Sequence, residues 1–100
     1  MSQYTVYVTP NALREIKDLP GNVRQRMKRV LDDLADNPHP PGSKVMRTPG
    51  IEPEICRLRL GKWRMVYAVS ESERIVDVIA VRKRPPYDYG DLAQLLADII

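Results

Sequence analysis

Apolar residues recur along this chain at two spacings, and the change of spacing marks the elements. In "QYTVYV", residues 3–8, Tyr and Val alternate with polar positions at period two, as in a strand. Ala12, Leu13, Ile16 and Leu19 then follow at helical spacing, with Thr9 as the N-cap and Pro10 at the first helical position. "LPGN" interrupts this helix. Val23, Met27, Val30, Leu31 and Leu34 resume the helical period, with Arg24, Arg26, Lys28, Asp32 and Asp33 between them. Asn37-Pro38 ends the second helix, because the residue before a proline is driven out of the helical region. The two helices are expected to pack antiparallel across their short turn. "NPHPPGSKVMRTPG" is a loop with room for a short strand at Lys44–Arg47. "EICRLRL", "WRMVYAV" and "RIVDVIAVR" form three strands, linked by "GK" and "SESE" into an antiparallel meander. Beyond the irregular "RKRPPYDYGD", Leu92, Leu95, Leu96 and Ile99 make an amphipathic C-terminal helix with Asp91 as N-cap. The predicted order is β-α-α-β-β-β-α, one α+β domain over residues 1–100 with a helical hairpin on one face of an antiparallel sheet.

The hairpin "RLRLGKWRMVY" can be worked out by pairing. With Gly61-Lys62 as a two-residue loop, Leu60 faces Trp63, Arg59 faces Arg64, Leu58 faces Met65, Arg57 faces Val66 and Cys56 faces Tyr67. Cross-strand partners share a face. Cys56, Leu58, Leu60, Trp63, Met65 and Tyr67 therefore form a core face. Arg57, Arg59 and Arg64 crowd the other, beside Val66 and Ala68. In the next strand Val76, Val78, Ala80, Arg82 and Arg84 alternate together, and the sequence does not say which face they join. Like charges opposed across strands destabilise by up to about 1 kcal/mol. Glu52, Glu54 or Asp77 could offset the repulsion, which would leave a solvated, salt-bridged face. The alternative is an anion site. Arginine suits phosphate because its planar fork makes two parallel hydrogen bonds and stays charged at any working pH.

Composition narrows the setting. The chain has 100 residues, 43% hydrophobic, with a net charge of +3. Residues 44–84 carry ten Lys/Arg against five Asp/Glu, whereas residues 85–100 carry three Asp and no cation. The basic segment contains the hairpin, which suggests a polyanion or an acidic protein as partner. No apolar run approaches the roughly 20 residues of a membrane span, and "MSQYTVYVTP" has no signal-peptide pattern. The lone Cys56 cannot form an internal disulfide, and a cytoplasmic location is expected. There is no phosphate-cradling glycine motif, and no Cys/His cluster at zinc-ligand spacing. Neither a cofactor nor a metal is expected.

Four segments together resemble the RelE family of type II toxins, within the RelE/ParE superfamily: "NALREIKDLP", "LADNPHPPGSKVMR", "RLRLGKWRMVY", and "VIAVRKR" followed by Tyr. The resemblance covers about Tyr4 to Tyr89. Its strongest part is the basic strand, the Gly turn and the aromatic-Arg-x-Val-Tyr run, placed after a helical hairpin. It implies a microbial-RNase-like fold. It also implies an endoribonuclease that cuts mRNA in the ribosomal A site without a metal and is silenced by a cognate antitoxin. RelE-type sites use a basic strand pair, an Arg after the hairpin turn, an Arg after the last strand and a Tyr near the C-terminus. Here these positions are Arg57 and Arg59, Arg64, Arg84, and Tyr87 or Tyr89. Well-known members carry lysines where this chain has Arg57 and Arg59, and the tyrosine spacing after Arg84 is shorter here.

Metal-free RNA cleavage needs an activated 2′-OH, in-line geometry, charge stabilisation on the phosphorane and a proton for the 5′-oxygen. The single histidine, His39 in "NPHPP", is expected to be a surface loop residue. A tyrosine beside several arginines is the better base, since nearby positive charge favours the phenolate. Tyr89, or failing that Tyr87, is expected to take the 2′ proton. Arg64 and Arg84 would stabilise the phosphorane, and Arg57 and Arg59 would hold the scissile and flanking phosphates. Lys44, Arg47, Lys62, Arg82 and Lys83 are expected RNA or ribosome contacts. Trp63 belongs to the core face and is expected to pack. Two other functions fit the same fold: a ParE-like toxin acting on DNA gyrase, and a catalytically degenerate binding module.

Overall fold

The computed structural model describes residues 3–46 and 53–83. Expectations for Arg47, Arg84, Tyr87, Tyr89 and the helix at 91–100 lie outside the described residues. The elements are β1 (Thr5–Val8), α1 (Pro10–Lys17), α2 (Gly21–Asp36), β2 (Ser43–Met46), β3 (Glu54–Leu60), β4 (Trp63–Ser70) and β5 (Ile75–Lys83). Among them no helix is long and apolar enough to cross a membrane.

The helix boundaries follow from local chemistry. Thr9 holds extended backbone, and its Oγ1 accepts the N–H of Ala12 at 3.3 Å. Pro10 follows at the first helical position, where its missing N–H costs nothing. The helix α2 stops at Asn37, which is extended at φ −149° ahead of Pro38. The Asn37 side chain then accepts the backbone N–H of His39 at 3.0 Å and turns the chain towards β2.

The sheet has five strands in the order β1-β5-β4-β3-β2. The last four pair antiparallel, as the meander requires, and the short strand allowed for in the loop is β2. The first strand joins parallel to β5, with Thr5 opposite Ile75 and Val8 opposite Val78, so the sheet is mixed. The β3–β4 register is the one worked out from pairing through Gly61-Lys62. Gly61 takes φ +61° while Lys62 does not turn positive, the pattern of a type II′ turn with glycine first.

One sheet face carries the main core. Ala12, Ile16, Leu19, Met27 and Leu34 from the helices pack with Cys56, Leu58, Met65, Tyr67, Val69, Val76, Val78 and Val81. Leu60 and Trp63 pack against the same cluster, so Trp63 is a packing residue. The opposite face is not simply solvated. Ile55, Val66, Ala68, Ile79 and Ala80 form a second buried apolar cluster there, with Met46 against it. Consequently β4 is buried from Arg64 to Val69, on both sides. A strand covered on both faces should read as a continuous apolar run, and "MVYAV" does.

The alternation expected of β5 does not survive. Val66 pairs with Ala80 and Tyr67 with Val78, which leaves Ile79 as an extra residue in a β-bulge. Val76 and Val78 lie on the helix face before the bulge, and Ala80 and Arg82 lie on the opposite face after it. Without the bulge, Arg82 would point into the helix-packed core. Beyond Val78, β5 has no strand on its β1 side, because β1 ends at Val8, while β4 stays paired along its other edge. The side chains of α1 take over that edge: Asn11 Nδ2 donates to the Ile79 carbonyl at 3.2 Å, and Glu15 Oε1 accepts the Val81 N–H at 3.0 Å.

Candidate functional site

Three strands align their cations directly. Arg59 on β3 faces Arg64 on β4, and Arg64 faces Arg82 on β5, with neighbouring strands about 4.8 Å apart. On the other side of β3, Arg57 faces Lys44 of β2. The arrangement opens into a cleft of about 290 Å³ lined by Gly42, Lys44, Arg57, Arg59 and Arg64. Gly42 forms part of its wall at φ +92°, a left-handed conformation that a side chain would strain. Sequence reasoning did not assign Gly42 to the site, because the "PPG" turn identifies a bend but not what the bend faces.

Each cation sits differently. Arg64 is buried, 3% exposed, and is held on the most enclosed strand. Arg57 is half-buried, while Arg59 and Lys44 are exposed. Buried and exposed charges thus converge on one concave surface. Donors fixed in a partly desolvated cleft interact with an anion more strongly than solvated ones do, and need no rearrangement to meet it.

Arg82 shares the arginine face, and its Nε donates to Glu15 Oε2 at 3.2 Å. The same carboxylate that satisfies the β5 edge thus braces a cation beside Arg64. Glu15 is therefore the offsetting carboxylate found for this cluster among the described residues. Glu54 faces the other way, its Oε1 accepting from His39 Nε2 at 2.6 Å. Of the expected RNA contacts, Lys44 and Arg82 are on the cleft face. Lys62 is exposed in the hairpin loop, and Lys83 lies opposite Trp63, which places it on the helix face.

Two described tyrosines are committed elsewhere. The Tyr67 hydroxyl donates to the Pro38 carbonyl at 2.6 Å inside the core, and burial drives its pKa above the ordinary phenol value. Tyr4 donates to Glu71 at 2.6 Å, and that hydrogen bond raises its pKa as well. Neither is poised to lose a proton near neutrality. His39 lies in its loop against Glu54, away from the residues that line the cleft.

Comparison with known proteins identifies the family and the fold. Residues 6–85 match the family described as ParE toxin of type II toxin-antitoxin system, parDE. A RelE-like toxin protein of Escherichia coli is 34% identical over 94 residues, covering 91% of this chain and 94% of that protein. The archaeal RelE in a RelE-RelB complex from Pyrococcus horikoshii superposes with a TM-score of 0.76 at 20% identity, covering 85% of this chain and 99% of its own. A chain of the intact E. coli RelBE toxin-antitoxin complex gives a TM-score of 0.64 at 27% identity, covering 80% and 95%. The fold is the microbial-RNase-like fold of these toxins. With the family match spanning most of its length, the chain belongs to the RelE/ParE superfamily of type II toxin–antitoxin toxins.

Proposed function

We propose that this chain is a ribosome-dependent endoribonuclease that cuts mRNA in the A site by metal-independent attack of the 2′-OH. The observation that carries this reading is the cleft of Lys44, Arg57, Arg59 and Arg64, with Arg82 in line beside it. A toxin that acts by covering a protein surface has no need for a concave row of aligned arginines. A phosphate backbone does, since each bridging guanidinium relieves the repulsion between its neighbours. In this mechanism Arg57 and Arg59 hold the scissile and flanking phosphates. Arg64 stabilises the phosphorane from its fixed position on β4. Arg84, following Lys83 in the sequence, adds charge at the leaving 5′-oxygen, and Tyr89 or Tyr87 takes the 2′ proton. Tyr67 and Tyr4, committed to Pro38 and Glu71, do not supply that base.

The partner in the cell is a cognate antitoxin, acidic and partly disordered, acting in the cytoplasm with no membrane involved. The RelE-RelB complexes among the structural relatives and the excess of cations over residues 44–84 support it. One observation favours a second reading: the matching family is described as ParE toxin. Adding the purified protein to translating ribosomes and mapping mRNA 5′ ends separates the cases. Cuts in the A site, lost in the Arg59→Ala variant, are expected. Intact mRNA together with inhibited DNA gyrase would move the chain to the ParE activity. Neither effect would leave a binding module.

A further inference from the structure

Sequence spacing gives no metal motif, yet the fold brings three unlike donors together. His39 Nε2 lies 2.6 Å from Glu54 Oε1, and Cys56 Sγ lies 3.6 Å from the same oxygen. All three ligand atoms fall within 4.8 Å of one another. They come from separate places: His39 from the loop between α2 and β2, Glu54 and Cys56 from alternate positions of β3 that share a face. The imidazole and carboxylate are each 40% exposed, while the thiol is buried behind them. The cluster is therefore open to solvent on one side and closed on the other. It sits on the helix face of the sheet, and none of its members lines the arginine cleft.

We propose that His39, Glu54 and Cys56 form a binding site for a borderline-soft divalent cation of the Zn²⁺ class, separate from the arginine cleft. One nitrogen, one oxygen and one sulfur ligand are the donor set such an ion takes, and a hard cation such as Mg²⁺ would reject the sulfur. With metal–ligand distances of about 2.0–2.3 Å, tetrahedral ligands lie about 3.3–3.7 Å apart. The Cys56–Glu54 separation already meets this. The His39–Glu54 contact must open by about 0.7 Å, and the widest separation must close by about 1 Å, which a loop residue can supply.

The charge balance also favours the ion. Binding breaks the Cys56 S–H bond, releases that proton to solvent and forms a sulfur–metal bond. The His39 ring proton shifts from Nε2 to Nδ1 by exchange with solvent, and the freed Nε2 lone pair binds the ion in place of the hydrogen bond to Glu54. One thiolate and one carboxylate neutralise a divalent cation, so the occupied site carries no net charge at the edge of the core. A fourth, outward position remains for water. Around the site, Asn37 already holds the His39 backbone at 3.0 Å, and Tyr67 ties the same loop to the sheet through Pro38. An ion there would clasp the 37–42 loop to β3. Gly42, at the end of that loop, is a wall of the cleft.

The test is a Zn²⁺ titration of the full chain against a competing chelator, repeated with Co²⁺ as a spectroscopic probe. The expected result is one ion per chain, a thiolate-to-cobalt charge-transfer band in the near ultraviolet, and a Tm that rises on adding Zn²⁺. His39→Ala, in an exposed loop, should fold normally. It should weaken Zn²⁺ binding beyond the roughly 10–100-fold cost of losing an outer partner. Cys56→Ala should abolish the charge-transfer band. Equal Zn²⁺ affinity in wild type and His39→Ala, a Co²⁺ spectrum without the thiolate band, or no stoichiometric binding would each overturn the site. His39 itself does not line the cleft, so mRNA cleavage by His39→Ala, assayed with no added Zn²⁺, reports on the nuclease reading independently of metal binding.

Discussion

Replacing Arg64 by Met removes its charge and keeps an unbranched apolar stem. The side chain is 3% exposed on the central strand, so truncation to Ala would add a cavity to any loss of function. Methionine avoids most of that, because its unbranched stem adapts to the space the arginine stem fills. Two opposing terms set the stability change. Arg64 faces Arg59 on one side and Arg82 on the other, and each like-charge pair costs about 0.2–1 kcal/mol, so losing both gains about 0.4–2 kcal/mol. The guanidinium also has interactions of its own, and a hydrogen bond to a charged group is worth about 1.5–3 kcal/mol. These nearly cancel, and Tm should stay within about 8 °C of wild type. Activity should not survive. Loss of one preorganised donor to a developing oxyanion costs about 10²–10³ in rate. The assay is the single-turnover rate of mRNA cleavage on programmed ribosomes, beside a thermal melt of the same preparation. Arg64→Lys should recover part of the rate by restoring charge without the fork. A folded Arg64→Met that cuts at close to the wild-type rate would refute the role given to Arg64.

Other expectations follow from the same contacts. Glu15→Ala leaves the Val81 N–H and the Arg82 Nε–H without their shared acceptor, which should cost about 1–3 kcal/mol in chemical denaturation. Glu15→Gln keeps one oxygen for Val81 and should recover most of this; an unchanged stability in Glu15→Ala would show that α1 does not hold the edge. Stability should also fall in alkali. Burial pushes the Cys56 thiol from its ordinary 9.0 up to about 12, so its contribution is intact below pH 9.0 and is lost as pH rises towards 12. The slope should approach about 1.4 kcal/mol per pH unit, steepening when the raised Tyr67 begins to contribute, and Cys56→Ala should flatten its first part. A flat profile in the wild type would contradict the burial of the thiol. Pyrophosphate should raise the wild-type Tm more than that of Arg59→Ala, by about 2.7 kcal/mol of binding linkage at hundredfold saturation. Equal shifts would mean a general salt effect instead of a site.

Much of the site was legible because it depends on one hairpin. A two-residue Gly loop fixes register, and register at period two fixes which side chains share a face, so Arg57, Arg59 and Arg64 could be placed together from sequence. What could not be placed depends on contacts distant in sequence. The bulge at Ile79 inserts one residue without a glycine or proline to announce it, and it alone moves Arg82 to the arginine face. Glu15 lies 67 residues from Arg82, and nothing in an α1 segment says which strand edge it will cover. The second apolar layer is hidden in the sequence for a different reason. Val66 and Ala68 stand beside the arginines in the hairpin, and only with Ile55, Ile79 and Ala80 do they make a packed cluster, which no single strand displays. His39, Glu54 and Cys56 show the same limit, since the loop meets β3 only after the chain folds.

A row of like charges can be held only where the scaffold is stronger than the repulsion. Here the two repulsive pairs of the row, Arg59–Arg64 and Arg64–Arg82, amount to about 2 kcal/mol at most. Against them stand Ile55, Val66 and Ile79 on the arginine face, each fully or almost fully buried. Burying a side chain of this size contributes about 1.5–3 kcal/mol. The margin explains why the cations sit on β3, β4 and β5 and not on the loops: β4 is paired on both sides and covered on both faces, so Arg64 cannot move away from Arg59. A flexible loop would relieve the repulsion by swinging its charge into water, and would then have to bring it back to meet a phosphate. On the sheet that cost falls on folding instead. The bulge fits the same logic, because it brings Arg82 into line while Glu15, held by the edge N–H of Val81, limits how much repulsion the third arginine adds. Charge is concentrated at the centre of the row, where Arg64 is most enclosed, and diluted at its ends, where Arg59 meets solvent and Arg82 meets a carboxylate.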